Sequence, residues 1–269
     1  MIELYRGLYR YPGKMIGRKF DLLKIKKNTD VLVIAAHPDD DVIGLSTTLF
    51  RHRLLGDNIV VAFVTNGSCW QDESWRIKES ETERRAKIRY NEASNALSLL
   101  GIPKDNIICL GFPDGGTHRY LRYLAKDIQL LIQKLNPNRV YAHCIEGGHS
   151  DHDMTSYVVK TICNKMGFSN LFEWTEYNPK QPLGTENVKF LPSQKHVLKE
   201  SIIKISEEER TLKKKMLAFH ESQDVEKYFG HGEALRPAAF SEIEMELNKF
   251  CQLPKRRLIP VVKSFNKSI

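Results

Sequence analysis

The sequence lacks the features that mark secreted, membrane-spanning and dinucleotide-binding proteins. Only five of its 269 residues are cysteine, an odd number with no C-x-x-C pair, which suits a reducing compartment better than a disulfide framework. The longest purely apolar runs, Val31–Ala36 and Ile59–Val64, are far shorter than the ~20 residues that cross a membrane. The first residues are basic, but no apolar stretch of a secretory signal follows them. We therefore expect a cytoplasmic protein without a membrane span.

The net positive charge of the chain comes from its two ends. Residues 1–27 carry a net charge of +6 and residues 255–269 one of +5, whereas residues 28–254 carry −3. Because no Pro/Gly/Ser-rich linker interrupts the interior, we expect a basic extension over 1–27, one domain over 28–254 and a basic tail over 255–269. The ends would allow weak, salt-sensitive binding to anionic surfaces, which keeps a non-catalytic binding module as an alternative. The mildly acidic body argues against nucleic acid as the main partner, and the aromatic residues of the extension leave a homo-oligomer open.

Apolar periodicity alternates between strand and helix over the first 165 residues. Four short apolar segments read as buried strands, at Val31–Ala36, Ile59–Val64, Asn106–Leu110 and Arg139–Ala142. Three longer segments have helical period between them, at Val42–Leu55, Ser80–Leu100 and Tyr120–Leu135. This alternation predicts an α/β fold of the doubly wound, Rossmann-like type, with a mostly parallel sheet and helices on both faces. In the last third the pattern favours strands at Leu171–Tyr177 and Val188–Leu191 and a helix at Ser206–Glu221.

The residues that follow the first and fourth strands point to a metal site. The G-x-G-x-x-G fingerprint of dinucleotide binding is absent after the first strand, and His37-Pro38-Asp39-Asp40-Asp41 stands there instead. Three neighbouring carboxylates repel one another unless a cation neutralises them. The fourth strand leads to Gly147-Gly148-His149-Ser150-Asp151-His152. If the two strands are neighbours, His37, Asp40 and His152 meet as three ligands with an open fourth position, the arrangement of catalytic zinc.

Each motif alone has a simpler interpretation. A His-Pro-Asp segment is often an ordinary polar loop, and a single histidine beside a sheet is more often a hydrogen-bonded core residue than a ligand. The metal interpretation rests on finding both motifs directly after predicted parallel strands.

The combination of motifs resembles the PIG-L/LmbE family of zinc-dependent N-acetylglucosamine deacetylases. The matching elements are A-H-P-D-D-[DE] after the first strand, T-x-G after the second (Thr65, Gly67), H-x-D-H after the fourth, and a late K…H-x-S-Q segment between Lys215 and Gln223. The resemblance implies one Zn²⁺ per chain, bound by His37, Asp40 and His152. It further implies that Asp39 is the general base and that His149 stabilises the oxyanion. A protonated His149 would face that oxyanion, and Asp151 could orient the ring and keep it charged.

Two further positions match the groups that hold the sugar in that family. The resemblance implies that Arg89 and Asp114 hydrogen-bond sugar hydroxyls. An i,i+3 ion pair of Arg89 with Glu92, and an ordinary turn role for Asp114, explain the same residues equally well. The chain departs from the family pattern at Asp41, where glutamate is usual, and at Ser150, where proline is common. Neither departure touches an implied metal ligand.

The implied activity is hydrolysis of the N-acetyl amide of an N-acetylglucosaminyl small molecule, which releases acetate and a free amine. Members of the family act on thiol-cofactor precursors, glycolipid precursors, chito-oligosaccharides and aminoglycoside intermediates. Acidic residues in the predicted site loops (Asp72, Glu73, Asp114 and Glu146) favour a cationic pseudo-disaccharide such as 2'-N-acetylparomamine. N-acetylglucosaminyl-malate and chito-oligosaccharides remain the alternatives.

Overall fold

The computed structural model describes residues 15–25, 28–69, 79–192 and 199–269. Within these residues, seven strands form one sheet: β1 (Val31–Ala35), β2 (Ile59–Thr65), β3 (Ile107–Phe112), β4 (Arg139–His143), β5 (Leu171–Trp174), β6 (Ser201–Ile203) and β7 (Glu233–Pro237). The helices of the same residues are α1 (Asp40–Leu54), α2 (Glu79–Ser98), α3 (Leu121–Leu135), α4 (Ser150–Met166), α5 (Glu207–Leu217), α6 (Ile243–Phe250) and α7 (Lys255–Asn266).

The sheet has the strand order β3-β2-β1-β4-β5-β7-β6. Strands β1 to β5 are parallel, whereas β7 pairs antiparallel with both β5 and β6. After β3 the chain crosses back to place β4 beside β1. In open α/β sheets this point of reversal opens a crevice at the carboxyl ends of the strands, where ligands bind. The doubly wound arrangement and the β1–β4 neighbourhood that the sequence predicts are confirmed.

Helices cover both faces of the sheet because every central strand is apolar on both sides. Alternate residues of β1 belong to different cores: Leu32 and Ile34 pack with α3, α4 and α7, while Val31, Val33 and Ala35 pack with α1 and α2. Residues buried on both faces give the continuous apolar runs seen in the sequence. No helix of the described residues is long and apolar enough to cross a membrane.

In the last third, one predicted strand is wrong and two strands of the sheet were not predicted. Val188–Leu191 is not a strand; Val188 and Phe190 are buried in a small cluster with Cys144 and Ala234. Apolar residues alternate in this segment because one side of it is buried against its neighbours. The segment itself does not pair with any strand of the sheet. The antiparallel part of the sheet is built by β6 and β7 instead.

The basic segment 255–269 contains helix α7, whose Leu258, Val262 and Phe265 are buried in the core beneath α3 and α4. Most of the basic extension, residues 1–14 and 26–27, lies outside the described residues, so the division of the chain at residues 27 and 254 stays a prediction. The five cysteines all lie in the described residues, and none of them forms a disulfide bond.

Candidate active site

The site lies at the carboxyl ends of β1 and β4. His37 and Asp39 belong to the loop between β1 and α1, and Asp40 is the first residue of α1. The Oδ2 atom of Asp40 accepts a hydrogen bond from the backbone N of His37 at 2.7 Å, so the loop is closed by its own acidic residue. A carboxylate in the first turn of a helix is also favoured by the helix dipole. The local sequence therefore fixes His37 and Asp40 side by side.

Helix α4 brings the second half of the site. His149 is its N-cap residue and His152 lies in its first turn, buried to 1% exposure. The preceding Gly148 passes so close to Tyr177 that a Cβ would collide with the Tyr177 carbonyl oxygen. A side chain at this position would push the loop away from the sheet, which explains the glycine.

Three side-chain atoms from these two loops form a nearly equilateral triangle. His37 Nδ1 lies 3.2 Å from His152 Nε2 and 3.3 Å from Asp40 Oδ2, and the last two atoms are 3.4 Å apart. A tetrahedral zinc site with bonds of roughly 2.0–2.1 Å has ligand atoms about 3.3 Å apart. The two nitrogens and one oxygen therefore have the spacing, the chemistry and the burial of a zinc-binding triad.

Asp39 faces this triad and is held by Arg89. The Nη2 atom of Arg89 donates to Asp39 Oδ1 at 2.8 Å and to Pro38 O at 3.0 Å. Asp39 has a φ of 155°, a backbone conformation that residues other than glycine rarely adopt and that often marks functional positions. Burial raises the pKa of Asp39 to about 6, although the charge of Arg89 opposes the rise. A carboxyl with this pKa can exchange a proton near neutral pH.

His149 presents one ring nitrogen to the site as a donor. Its Nδ1 accepts a hydrogen bond from the backbone N of Asp151 at 3.2 Å, so a neutral ring carries its proton on Nε2. Burial and the charge of His37 lower the pKa of His149 to about 4. A pKa of about 4 favours the neutral imidazole near pH 7, and the ring of His149 lies 4.6 Å, centroid to centroid, from that of His37 and nearly perpendicular to it.

Arg89 and Asp114 are buried beside the triad rather than on an open surface. Besides Asp39, Arg89 binds Gly67 O through Nη1 at 3.1 Å, and this nitrogen lies 3.9 Å from Asp114 Oδ2. Glu92, the alternative partner considered for Arg89, instead accepts hydrogen bonds from the backbone N and the hydroxyl of Ser222. Arg89 lies on α2 and Asp39 lies in the loop after β1, 50 residues away in sequence, so local sequence does not display this contact.

His143 is a site residue that the sequence analysis did not assign. It ends β4, is fully buried, and its Nε2 lies 3.1 Å from Asp40 Oδ2 and 3.1 Å from the backbone N of Ala36. Its ring stacks on His152 at a centroid distance of 4.0 Å. In the sequence, His143 directly follows the predicted strand Arg139–Ala142, and this position could have marked it as a site residue. His143 packs the two predicted ligands Asp40 and His152 against the sheet.

Residues 32–163 match the family model PIG-L, described as GlcNAc-PI de-N-acetylase. This segment is a PIG-L family domain. It contains both halves of the site, and the predicted membership of the PIG-L family is confirmed for this segment.

Relatives of the chain carry deacetylase names. An uncharacterized deacetylase, YaiS of Escherichia coli strain K12, is 26% identical over 168 residues, which cover 59% of this chain and 83% of YaiS. The structure of the teicoplanin deacetylase Orf2 in a zinc-inhibited form superimposes with a TM-score of 0.60 at 18% identity, covering 78% of this chain and 97% of Orf2. An N,N'-diacetylchitobiose deacetylase from Pyrococcus horikoshii gives a TM-score of 0.53 at 24% identity, covering 84% and 81% of the two chains. At these identities the two structures support the fold of the PIG-L domain.

Proposed function

We propose that the protein is a zinc-dependent deacetylase that hydrolyses the N-acetyl amide of an N-acetylglucosaminyl small molecule. The observation that carries the proposal is the triangle formed by His37 Nδ1, Asp40 Oδ2 and His152 Nε2, with edges of 3.2–3.4 Å. The PIG-L family match over residues 32–163 and the deacetylase names of the relatives agree with it. The products are acetate and a free amine.

The triad residues would hold the metal, and neighbouring residues would move the protons. Zinc bound there supplies a Lewis acid that polarises the amide carbonyl and makes water more acidic. Asp39, held by Arg89 at 2.8 Å, takes a proton from the attacking water and returns one to the leaving amine. His149 donates from Nε2 toward the oxygen that becomes negative in the transition state. This role needs only the neutral imidazole.

The substrate class that we propose is wider than the cationic conjugate that the sequence favours. The prediction of 2'-N-acetylparomamine as substrate rests on four acidic residues. Two of them, Asp72 and Glu73, lie outside the described residues. Asp114 accepts a hydrogen bond from the backbone N of Cys69, and Glu146 accepts three from Thr175, Glu176 and Asn178. Both are buried and already bonded within the protein, so neither favours a cationic ligand. We propose an N-acetylglucosaminyl conjugate without selecting its charge.

The test measures metal content and acetate release together. The protein is purified without chelator, zinc is quantified per chain, and acetate release is assayed with N-acetylparomamine, N-acetylglucosaminyl-malate and diacetylchitobiose as cationic, anionic and neutral members of the panel. We expect one zinc ion per chain and acetate from at least one member. A protein that releases no acetate from any member, even after zinc is added back, would contradict the proposal.

A further inference from the structure

The ring of His37 faces charged or metal-binding groups with both of its nitrogens. Nδ1 belongs to the triad described above. Nε2, on the other side of the ring, lies 3.2 Å from Asp114 Oδ1 and 3.4 Å from Asp151 Oδ2. All three side chains are buried, at 9%, 5% and 0% exposure. One imidazole nitrogen thus stands between two carboxylates that water barely reaches.

Both carboxylates are fixed from behind by the protein. Asp151 accepts hydrogen bonds from Gly115 N at 2.7 Å, from Thr117 N at 3.2 Å and from the Thr117 hydroxyl at 2.5 Å. Asp114 Oδ2 accepts from Cys69 N at 3.0 Å. These donors belong to the loops that follow β2 and β3. The two loops thus hold both carboxylates beside the ring of His37. Rotation of either carboxylate toward a sugar hydroxyl would break a hydrogen bond that it now makes.

We propose that Asp114 and Asp151 are positioning residues for His37: they hold the proton on Nε2 and so leave Nδ1 as the nitrogen that binds zinc. A histidine that binds a metal usually donates its other N–H to a carboxylate or carbonyl, which fixes the tautomer and the ring orientation. The inference rests on the proposed zinc site. It gives Asp114 and Asp151 a different role from the sugar-binding and His149-orienting roles implied by the family resemblance.

The position of His149 supports this assignment of Asp151. The hydrogen bond between these two residues runs from the backbone N of Asp151 to His149 Nδ1. The Asp151 carboxylate is directed instead to Thr117, Gly115 and the ring of His37. Replacing the Asp151 carboxylate would therefore disturb the ring position of His37 more than that of His149.

The first experiment measures zinc affinity, which a sugar-binding residue would not change. Wild type, Asp114→Asn and Asp151→Asn are titrated with zinc against a competing chelator. We expect both variants to bind one zinc ion with an affinity weakened about 10–100-fold. Glu146→Gln is the matched control, because this carboxyl is also buried and precedes α4 but bonds to Thr175 and Asn178. Its zinc affinity should equal that of the wild type.

The outcomes separate this inference from the proposed function. If the wild type binds zinc and Asp114→Asn binds it equally well but has a raised KM, Asp114 holds the substrate and the inference is wrong. If the wild type binds a second zinc ion that Asp114→Asn loses, the carboxylates are ligands and the inference is also wrong. If the wild type binds no zinc at all, the proposed function itself fails.

A second measurement needs no variant and so avoids any folding defect. Two-dimensional ¹H–¹⁵N spectra of the zinc-loaded wild type report which ring nitrogen of His37 carries a proton. We expect a protonated Nε2 and a zinc-bound Nδ1. A protonated Nδ1, or exchange between the two tautomers, would overturn the proposal.

Discussion

The guanidinium Nη2 of Arg89 lies 2.8 Å from Oδ1 of Asp39, in a contact where both side chains are at most 10% exposed. The same group also binds the carbonyl oxygens of Pro38 and Gly67. Arg89 therefore ties together the loops after β1 and β2 and places its positive charge on the carboxylate that we propose as the general base. We expect the catalytic effect of Arg89 to act through Asp39.

This contact predicts a change in pH dependence when Arg89 is replaced. The charge of Arg89 opposes the rise in the pKa of Asp39 that burial causes, so Arg89→Gln should raise this pKa further. A base must be ionised to act, and the acidic limb of the kcat/KM profile should therefore move to higher pH, by about 1 unit or more. The pH–rate profile of acetate release measures this shift.

Arg85→Gln is the matched control for that variant. Arg85 lies one turn earlier on α2 and pairs with Glu81 at 2.7 Å, so its removal should leave the profile unchanged. An Arg89→Gln enzyme with an unmoved acidic limb and only a raised KM would show that Arg89 binds the sugar instead.

A methyl group at Gly67 should disturb the same contact. Gly67 has a φ of 61°, and a Cβ there would lie 2.9 Å from Pro38 Cδ and 3.0 Å from Arg89 Cδ. Gly67→Ala should lower kcat at least tenfold by displacing Arg89, in addition to a backbone cost of about 1 kcal/mol. Gly56→Ala has a similar backbone cost, because φ is 86°, but its Cβ would meet nothing within 4 Å. Thermal unfolding and acetate assays compare the two; equal activities would refute the steric account.

The central sheet and the proximity of the three triad residues could be predicted from the sequence for a physical reason. Strands β1, β2 and β4 are buried on both faces, so their apolar character is continuous and visible without tertiary information. The triad follows from the rule that loops after neighbouring parallel strands meet at one edge. His37, Asp40 and His152 each lie within a few residues of such a strand or its following helix. Local sequence therefore carried most of their geometry.

The rest depended on contacts that the sequence does not display. Strand β7 contains Glu233 and Arg236, which look like surface residues, but both are buried to 3% exposure or less. Glu233 accepts hydrogen bonds from the backbone N atoms of Thr47 and Thr48, and Arg236 pairs with Glu173 at 3.0 Å. Because charges matched by distant partners do not follow apolar periodicity, the strand was missed. The partners of Arg89 and Asp114 were hidden for the same reason.

The buried charges beside β5 predict a large effect on stability. Lys160 Nζ lies 2.7 Å from both Glu173 Oε1 and Glu246 Oε2, with no exposure of its own. Lys160→Met would leave two buried carboxylates to share the single charge of Arg236, which lies 3.0 Å from Glu173 and 3.7 Å from Glu246. It should lower the free energy of unfolding by about 3 kcal/mol at neutral pH. Denaturant unfolding measures the loss. Lys165→Met, an exposed position of the same helix, should change stability by less than about 0.5 kcal/mol.

The loss of stability caused by Lys160→Met should depend on pH in a defined direction. Burial would raise the pKa of Glu173, but the charges of Lys160 and Arg236 hold it below its usual value. The stability that this carboxylate contributes is therefore present at neutral pH and lost as pH falls through the folded pKa. The difference between wild type and Lys160→Met should shrink in acid. A difference that stays constant down to pH 3 would contradict this assignment.

The central claim is that the triad holds zinc while Asp39 moves the proton, and one pair of variants tests it most directly. Zinc content and acetate release are measured on Asp39→Asn and His152→Ala under the same conditions as the wild type. The account predicts that Asp39→Asn keeps one zinc ion per chain and loses acetate release, whereas His152→Ala loses both. An Asp39→Asn protein with undiminished turnover, or a His152→Ala protein with full zinc content and activity, would contradict it.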